Sequence, residues 1–170
     1  MEKDLIDLTK EELLDILGKK TREGVEVCFM YDDAGSISAE PYHFVDRLKS
    51  LGIHPTVFSP LSPWMVLTAR SNSRDHRKIC VIDNAIAYTG GINVADEYVN
   101  KQKIYGHWKD TGIRVEGEAV RTFTISFIRF FNVYSKEHLI YDDFLIKAPK
   151  IKSSSFVLPF SDSPTDKENT

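Results

Sequence analysis

Val25–Asp33, VEVCFMYDD, is apolar almost without interruption and is bounded by Gly24 before it and by Asp32, Asp33 and Gly35 after it. A run this short and this apolar reads as a strand covered on both faces, as in a parallel sheet. Upstream, Thr9 and Glu12 have the spacing of a capping box. The threonine hydroxyl accepts an orphan N–H while the glutamate reaches back to the cap. Leu13, Leu14, Ile16 and Leu17 then give an apolar helical stripe that Gly24 ends. Downstream, about Pro41 to Leu51 reads as a second helix. Phe44, Val45, Leu48 and Leu51 share its face, proline lies near its start and Gly52 follows its end. Thr56 to Phe58 gives a short second strand. Strand, helix and strand with short joins form a βαβ unit, so the fold class is α/β.

The remaining chain supplies antiparallel elements. Pro60 to Ser73 reads as an irregular loop around Trp64 and Met65. Lys78–Asp83 reads as a strand, Asn84-Ala85 as a tight turn, and Ile86–Gly90 as the hairpin partner. A further strand lies within Trp108–Gly117, with alternation at Ile113 and Val115. Glu118 to Tyr134 is long enough for a helix, with Val120, Phe123, Phe127, Phe130 and Phe131 in period. The polar stretch from Ser161 is expected to be loose.

Composition limits the function classes. The chain has 170 residues, a net charge of −3 and 42% hydrophobic residues. This is an ordinary globular balance, and one domain or one large half of a two-domain protein fits the length. A nucleic-acid-coating surface is disfavoured by the negative charge. No apolar run has the length of a membrane span, and the charged start MEKDLIDLTKEE does not resemble a signal peptide. Cys28 and Cys80 sit inside apolar runs, have no CxxC spacing and read as buried thiols. They point to a reducing location.

Chemistry concentrates between His76 and Asn93. His76 and Lys78 are two apart, so an extended chain turns both to one face. An imidazole nucleophile beside an ammonium suits a phosphoryl group, with the lysine holding its anionic oxygens. The hairpin returns Gly90, Gly91 and Asn93 to the same mouth. The glycines let backbone N–H groups approach an anion, and the Asn93 amide donates to it. Arg74 and Arg77 stand beside the mouth, either as phosphate or headgroup ligands or as solvated charges. Lysine and amide donors supply the charge stabilisation, so no metal or cofactor is expected.

The pattern HxKx4Dx6GGxN, carried by His76, Lys78, Asp83, Gly90, Gly91 and Asn93, resembles the catalytic motif of the phospholipase D superfamily. GVEVCFMYDDAGS, HRKICVIDNAIAYTGGINVADEY and GHWKDTGIRVEG resemble the first half of a bacterial cardiolipin synthase, over about Leu13 to Pro164. The resemblance implies a single phospholipase D-like lobe with a mixed β-sheet flanked by helices on both faces. It implies that His76 forms a phosphohistidine, that Lys78 and Asn93 bind phosphate, and that Asp83 braces structure behind them. Asp110, in the WxD place, would orient His76, a role suited to a carboxylate on Nδ1. Pairing with Lys109 or Arg114 is the alternative for it. Many members carry serine where Gly91 stands, so one hydroxyl donor is absent and the backbone must compensate.

The family site uses two such motifs, and this sequence has one. His43, His54, His107 and His138 lack the HxK context. Residues 1–150 therefore read as a catalytic half-domain and 151–170 as a linker toward a second half, supplied in cis or by a homodimer. The implied activity is phosphatidyl transfer between phosphatidylglycerol molecules, giving cardiolipin and glycerol. The parent protein would work at the bacterial membrane, with this chain itself lacking a membrane span. Two alternatives remain open. One is a single-motif nuclease or phosphodiesterase acting as a dimer. The other is a catalytically incomplete phosphate-binding piece.

Overall fold

A computed structural model describes residues 8–32, 43–58, 75–91, 93, 98–101, 106–148, 150–153 and 156–160. Pro41, the Pro60–Ser73 loop with Trp64 and Met65, Arg74, and the stretch from Ser161 lie outside them. In chain order the described elements are α1 (Lys10–Arg22), β1 (Cys28–Asp32), α2 (Phe44–Ser50), β2 (His54–Phe58), β3 (Ile79–Ile82), β4 (Ile86–Gly90), β5 (Gly112–Glu116), α3 (Val120–Tyr134) and α4 (Tyr141–Phe144).

The capping box at the start of α1 closes in both directions. The Glu12 N–H donates to Thr9 Oγ1 at 3.2 Å, and the Thr9 N–H donates to Glu12 Oε2 at 3.0 Å. Leu14 is buried, but Ile16 is exposed. Two residues advance a helix by roughly 200°, so Ile16 leaves the apolar stripe that holds Leu14. Gly18 is buried where α1 crosses the end of α2, and a Cβ there would meet Leu51 Cδ2 at 2.9 Å. Thr21 Oγ1 donates to the Leu51 carbonyl at 2.5 Å, satisfying one of the orphan acceptors after α2.

β1 and β2 run parallel, with Cys28 opposite His54 and Asp32 opposite Phe58. The helix between them makes this the predicted strand–helix–strand unit. Leu14, Phe44, Leu48 and Ile53 form the buried cluster, with Phe29 and Tyr31 packed against it. Phe58 meets Phe130 and Tyr134 of α3 with ring centroids 5.1 and 5.0 Å apart. Thus α1 and α2 cover one face of the parallel pair and α3 covers the other. Every β1 residue is half-buried rather than fully covered, because β2 is the only strand paired with it among the described residues.

β3, β4 and β5 form a separate antiparallel ribbon in that order. Ala87 and Val115 are buried against Val120, at the start of α3. Val115 alternates inward as predicted, whereas Ile113, two residues nearer the open end, is exposed. α3 packs against β2 as well as β3 and β4, so this one aromatic helix joins the parallel and antiparallel parts. The fold is therefore mixed α/β with helices on both faces. Phe156, Leu158 and Phe160 are exposed beyond it. No helix among the described residues is long and apolar enough to cross a membrane.

Candidate active site

The ribbon's connectivity builds the site. The chain enters β3 through His76 and Lys78, leaves β4 through Gly90, Gly91 and Asn93, and enters β5 through Asp110. Antiparallel pairing puts these three chain ends at one edge of the sheet. The outermost rungs are Ile79 opposite Thr89 and Gly90 opposite Gly112. One step further out, the Gly91 N–H donates to the Thr111 carbonyl at 3.2 Å. The rungs put the entry to β3, the exit from β4 and the entry to β5 at the ribbon's open end, where Lys78, Gly90, Gly91 and Asp110 adjoin it, with His76 three residues before Ile79 and Asn93 three residues after Gly90 along the chain.

His76, Asn93 and Asp110 are exposed there, and Lys78 is half-buried. Lys78 Nζ donates to the His76 carbonyl oxygen at 2.7 Å. Asp110 accepts the Thr111 N–H at 2.7 Å through Oδ1. Among the described residues no hydrogen bond joins Asp110 to His76. Nor does Asp110 pair with Arg114, whose guanidinium is bound to Glu116 instead. The approach of Asp110 to the strand end is set by the residues before it. Asn100 Nδ2 donates to the Trp108 carbonyl at 2.9 Å, and the Trp108 N–H donates to Asn100 Oδ1 at 2.7 Å. The Trp108 ring also lies against Tyr98, with centroids 4.7 Å apart.

Arg77 is committed to different partners from those expected of a headgroup ligand. Its Nε donates to both Asp75 oxygens, at 2.9 and 2.8 Å, and a second guanidinium nitrogen adds another bond. Its guanidinium carbon stands 5.0 Å above the Phe130 ring. Burial acts to raise the Asp75 pKa, but the Arg77 hydrogen bonds, helped by the charges of Arg77 and His76, hold it below the ordinary value. Asp75, Arg77 and Ile79 line a cavity of about 110 Å³ together with Met30, Phe58 and Phe130. Residues 75, 77 and 79 therefore serve the joint between ribbon, parallel pair and α3, and the intervening His76 and Lys78 are not in that lining. Arg74 falls outside the described residues.

Asp83 is the clearest departure. It occupies the β3–β4 turn with φ +51° and is exposed. The four residues separating it from Lys78 in the motif are the whole of β3, so at about 3.3 Å per residue it lies roughly 15 Å from the open edge. The turn also sits one residue earlier than expected, at Asp83-Asn84, with the Ala85 N–H donating to the Ile82 carbonyl at 2.9 Å. Both central residues have φ +51°, in the left-handed backbone region that tight hairpin turns use and that Asp and Asn tolerate.

The buried brace is Asn84, which sequence reasoning missed. Its Oδ1 accepts from Thr124 Oγ1 at 2.6 Å, and its Nδ2 donates to the Ile146 carbonyl at 2.5 Å. One amide thereby fixes the hairpin tip to α3 and to the segment after α4. The Asp-Asn pair was the available signal for the turn; nothing local in sequence marks Thr124 or Ile146 as partners.

No family model matches the chain, and no solved structure matches it. Related sequences are informative. A cardiolipin synthase of Staphylococcus aureus is 42% identical over 132 residues, covering 77% of this chain and 26% of the relative. A cardiolipin synthase of Oceanobacillus iheyensis is 40% identical over 131 residues, with 77% and 27% covered. This chain is cardiolipin synthase-like. An uncharacterized protein of Streptococcus mutans is also 42% identical, over 157 residues, with 92% of this chain and 34% of the relative covered. The chain therefore spans about a quarter to a third of the length of the curated relatives it matches. The relatives agree with the phospholipase D superfamily resemblance drawn from the His76–Asn93 window. A cardiolipin synthase-like chain of this extent is comparable with part of those enzymes.

Proposed function

We propose that this chain carries the nucleophile-bearing part of a phosphatidyltransferase of the cardiolipin synthase type. The carrying observation is the meeting of three strand ends at one open edge, with the Lys78 ammonium beside the exposed His76 segment. In the first displacement a ring nitrogen of neutral His76 attacks the phosphorus of phosphatidylglycerol. An N–P bond forms, the P–O bond to glycerol breaks, and the departing oxygen takes a proton. In the second displacement a hydroxyl of another phosphatidylglycerol attacks the same phosphorus. The N–P bond breaks, the hydroxyl proton is lost, and cardiolipin forms. Lys78, Asn93 and the amide at Gly90 hold the phosphoryl oxygens, and Asp110 orients the imidazole.

The relatives' greater length supports a site completed by a second motif, whether in the same parent chain or in a second copy. That second motif would protonate the leaving glycerol. On this reading the 170-residue chain alone binds phosphate without turnover. The deciding experiment replaces His76 by Ala in the complete parent protein and measures cardiolipin formed from phosphatidylglycerol in vesicles. Loss of turnover with an unchanged circular-dichroism spectrum is expected. Unaltered synthesis would remove His76 from the mechanism.

A further inference from the structure

The two adjacent glycines at the end of β4 are constrained by different things. A Cβ added to Gly90 would run into backbone, overlapping the Thr111 carbonyl and lying 2.9 Å from Gly112 Cα. The backbone pairing of β4 with β5 is what excludes a side chain there. The three atoms nearest a Cβ added to Gly91 all belong to one side chain, that of Asp110. Such a Cβ would overlap Asp110 Oδ1 and lie 3.0 Å from Oδ2 and 3.1 Å from Cγ. Gly91 does not have the left-handed φ of Gly24, Gly52, Gly106 and Gly117. Its backbone thus gives no reason for glycine. Asp110 is exposed, so its carboxylate, not the sheet, is what would move.

We infer that Gly91 is a positioning residue for Asp110: the space left by its missing side chain is the space that the carboxylate occupies. A carboxylate seated there keeps Oδ1 on the Thr111 N–H and lies over the strand end next to the phosphate-binding edge. Serine at position 91 would supply a hydroxyl to that edge and displace the carboxylate from it. The consequence for His76 rests on the function proposed above; the seating of Asp110 does not.

The Thr111 amide reports the seat directly. In the 170-residue chain, ¹H–¹⁵N spectra recorded across acid pH follow its shift as the Asp110 carboxyl ionises. The native chain is expected to show a downfield displacement of the Thr111 amide proton on ionisation, and Asp110→Asn to abolish it. Gly91→Ala and Gly91→Ser are expected to lose most of that displacement while keeping the native urea midpoint. Gly90→Ala is expected to lower the midpoint. An unchanged Thr111 titration in Gly91→Ala overturns the inference, and so does failure of Gly91→Ala to fold, because the shift would then not fall on Asp110. The His76 ring titration is read in the same samples. If Asp110→Asn leaves it unmoved, the orienting role of Asp110 fails while the seat, judged on Thr111, stands or falls separately.

Discussion

The Lys78 ammonium lies 2.7 Å from the carbonyl oxygen of His76, two residues before it in the chain. A lysine that bonds the His76 backbone is held at that residue through its main chain. It remains able to exchange that neutral acceptor for an anionic one, which adds the Coulomb attraction of opposite charges.

The first prediction concerns that exchange. Inorganic phosphate titrated into the 170-residue chain should perturb the Lys78 and Asn93 resonances. Lys78→Met should weaken binding by about tenfold to a hundredfold, the equivalent of a charged hydrogen bond of roughly 1.5–3 kcal/mol. An unchanged dissociation constant would take Lys78 out of the phosphate site.

A second prediction separates the two turn residues. Asn84→Ala removes both buried amide bonds and leaves alanine at a positive φ. The loss should be on the order of 3 kcal/mol. Asp83→Ala bears only the backbone term, about 1 kcal/mol, and Asp83→Gly should be neutral or slightly stabilising. Urea midpoints rank the three variants. Equal losses for Asn84→Ala and Asp83→Ala would contradict the assignment of the brace to Asn84.

Thiol chemistry gives a third. Burial pushes the Cys28 thiol up to about 12, and it raises Cys80 as well. The reactive thiolate is therefore scarce at neutral pH. Ellman's reagent at pH 8 should react slowly with the folded chain and rapidly after urea is added. Immediate stoichiometric reaction of the native protein would show that these strands open readily.

Acid stability gives a fourth. Asp75 has a folded pKa below its ordinary value of 3.8, so folding favours its carboxylate. The resulting stability is present above the unfolded value and is lost as pH falls through the lower folded value. Asp75→Asn should be less stable at neutral pH and should lose less stability than the native chain below about pH 4. Parallel stability curves for the two proteins across that window would show no net contribution from the Asp75–Arg77 contact.

Much of this architecture was legible because its signals are local. The Thr9–Glu12 box, the glycine after each early helix, and the apolar run ending at Asp32 each act within a few residues. The nearness of the HxK and GGxN segments was legible because a hairpin must bring β3's entry and β4's exit together. What escaped reading depends on partners distant in sequence. Arg77 looked available until Asp75 and the α3 ring of Phe130 claimed it. Asn84 looked like an ordinary turn residue because Thr124 and Ile146 are remote from it. Asp83 kept its place in the motif but not beside the other motif residues, since spacing along a strand also measures distance away from its mouth.

The order β3–β4–β5 is also the order of those strands along the chain. Rungs between sequence neighbours close short loops, and loop closure becomes costlier as the intervening chain lengthens. The β3–β4 hairpin closes a shorter loop than the excursion that returns the chain to β5, so it is expected to pair Ile79 with Thr89 before Gly112 reaches Gly90. On the function proposed above, the hairpin would set the Lys78–Gly90 side of the site and the later return of β5 would add the Asp110 carboxylate.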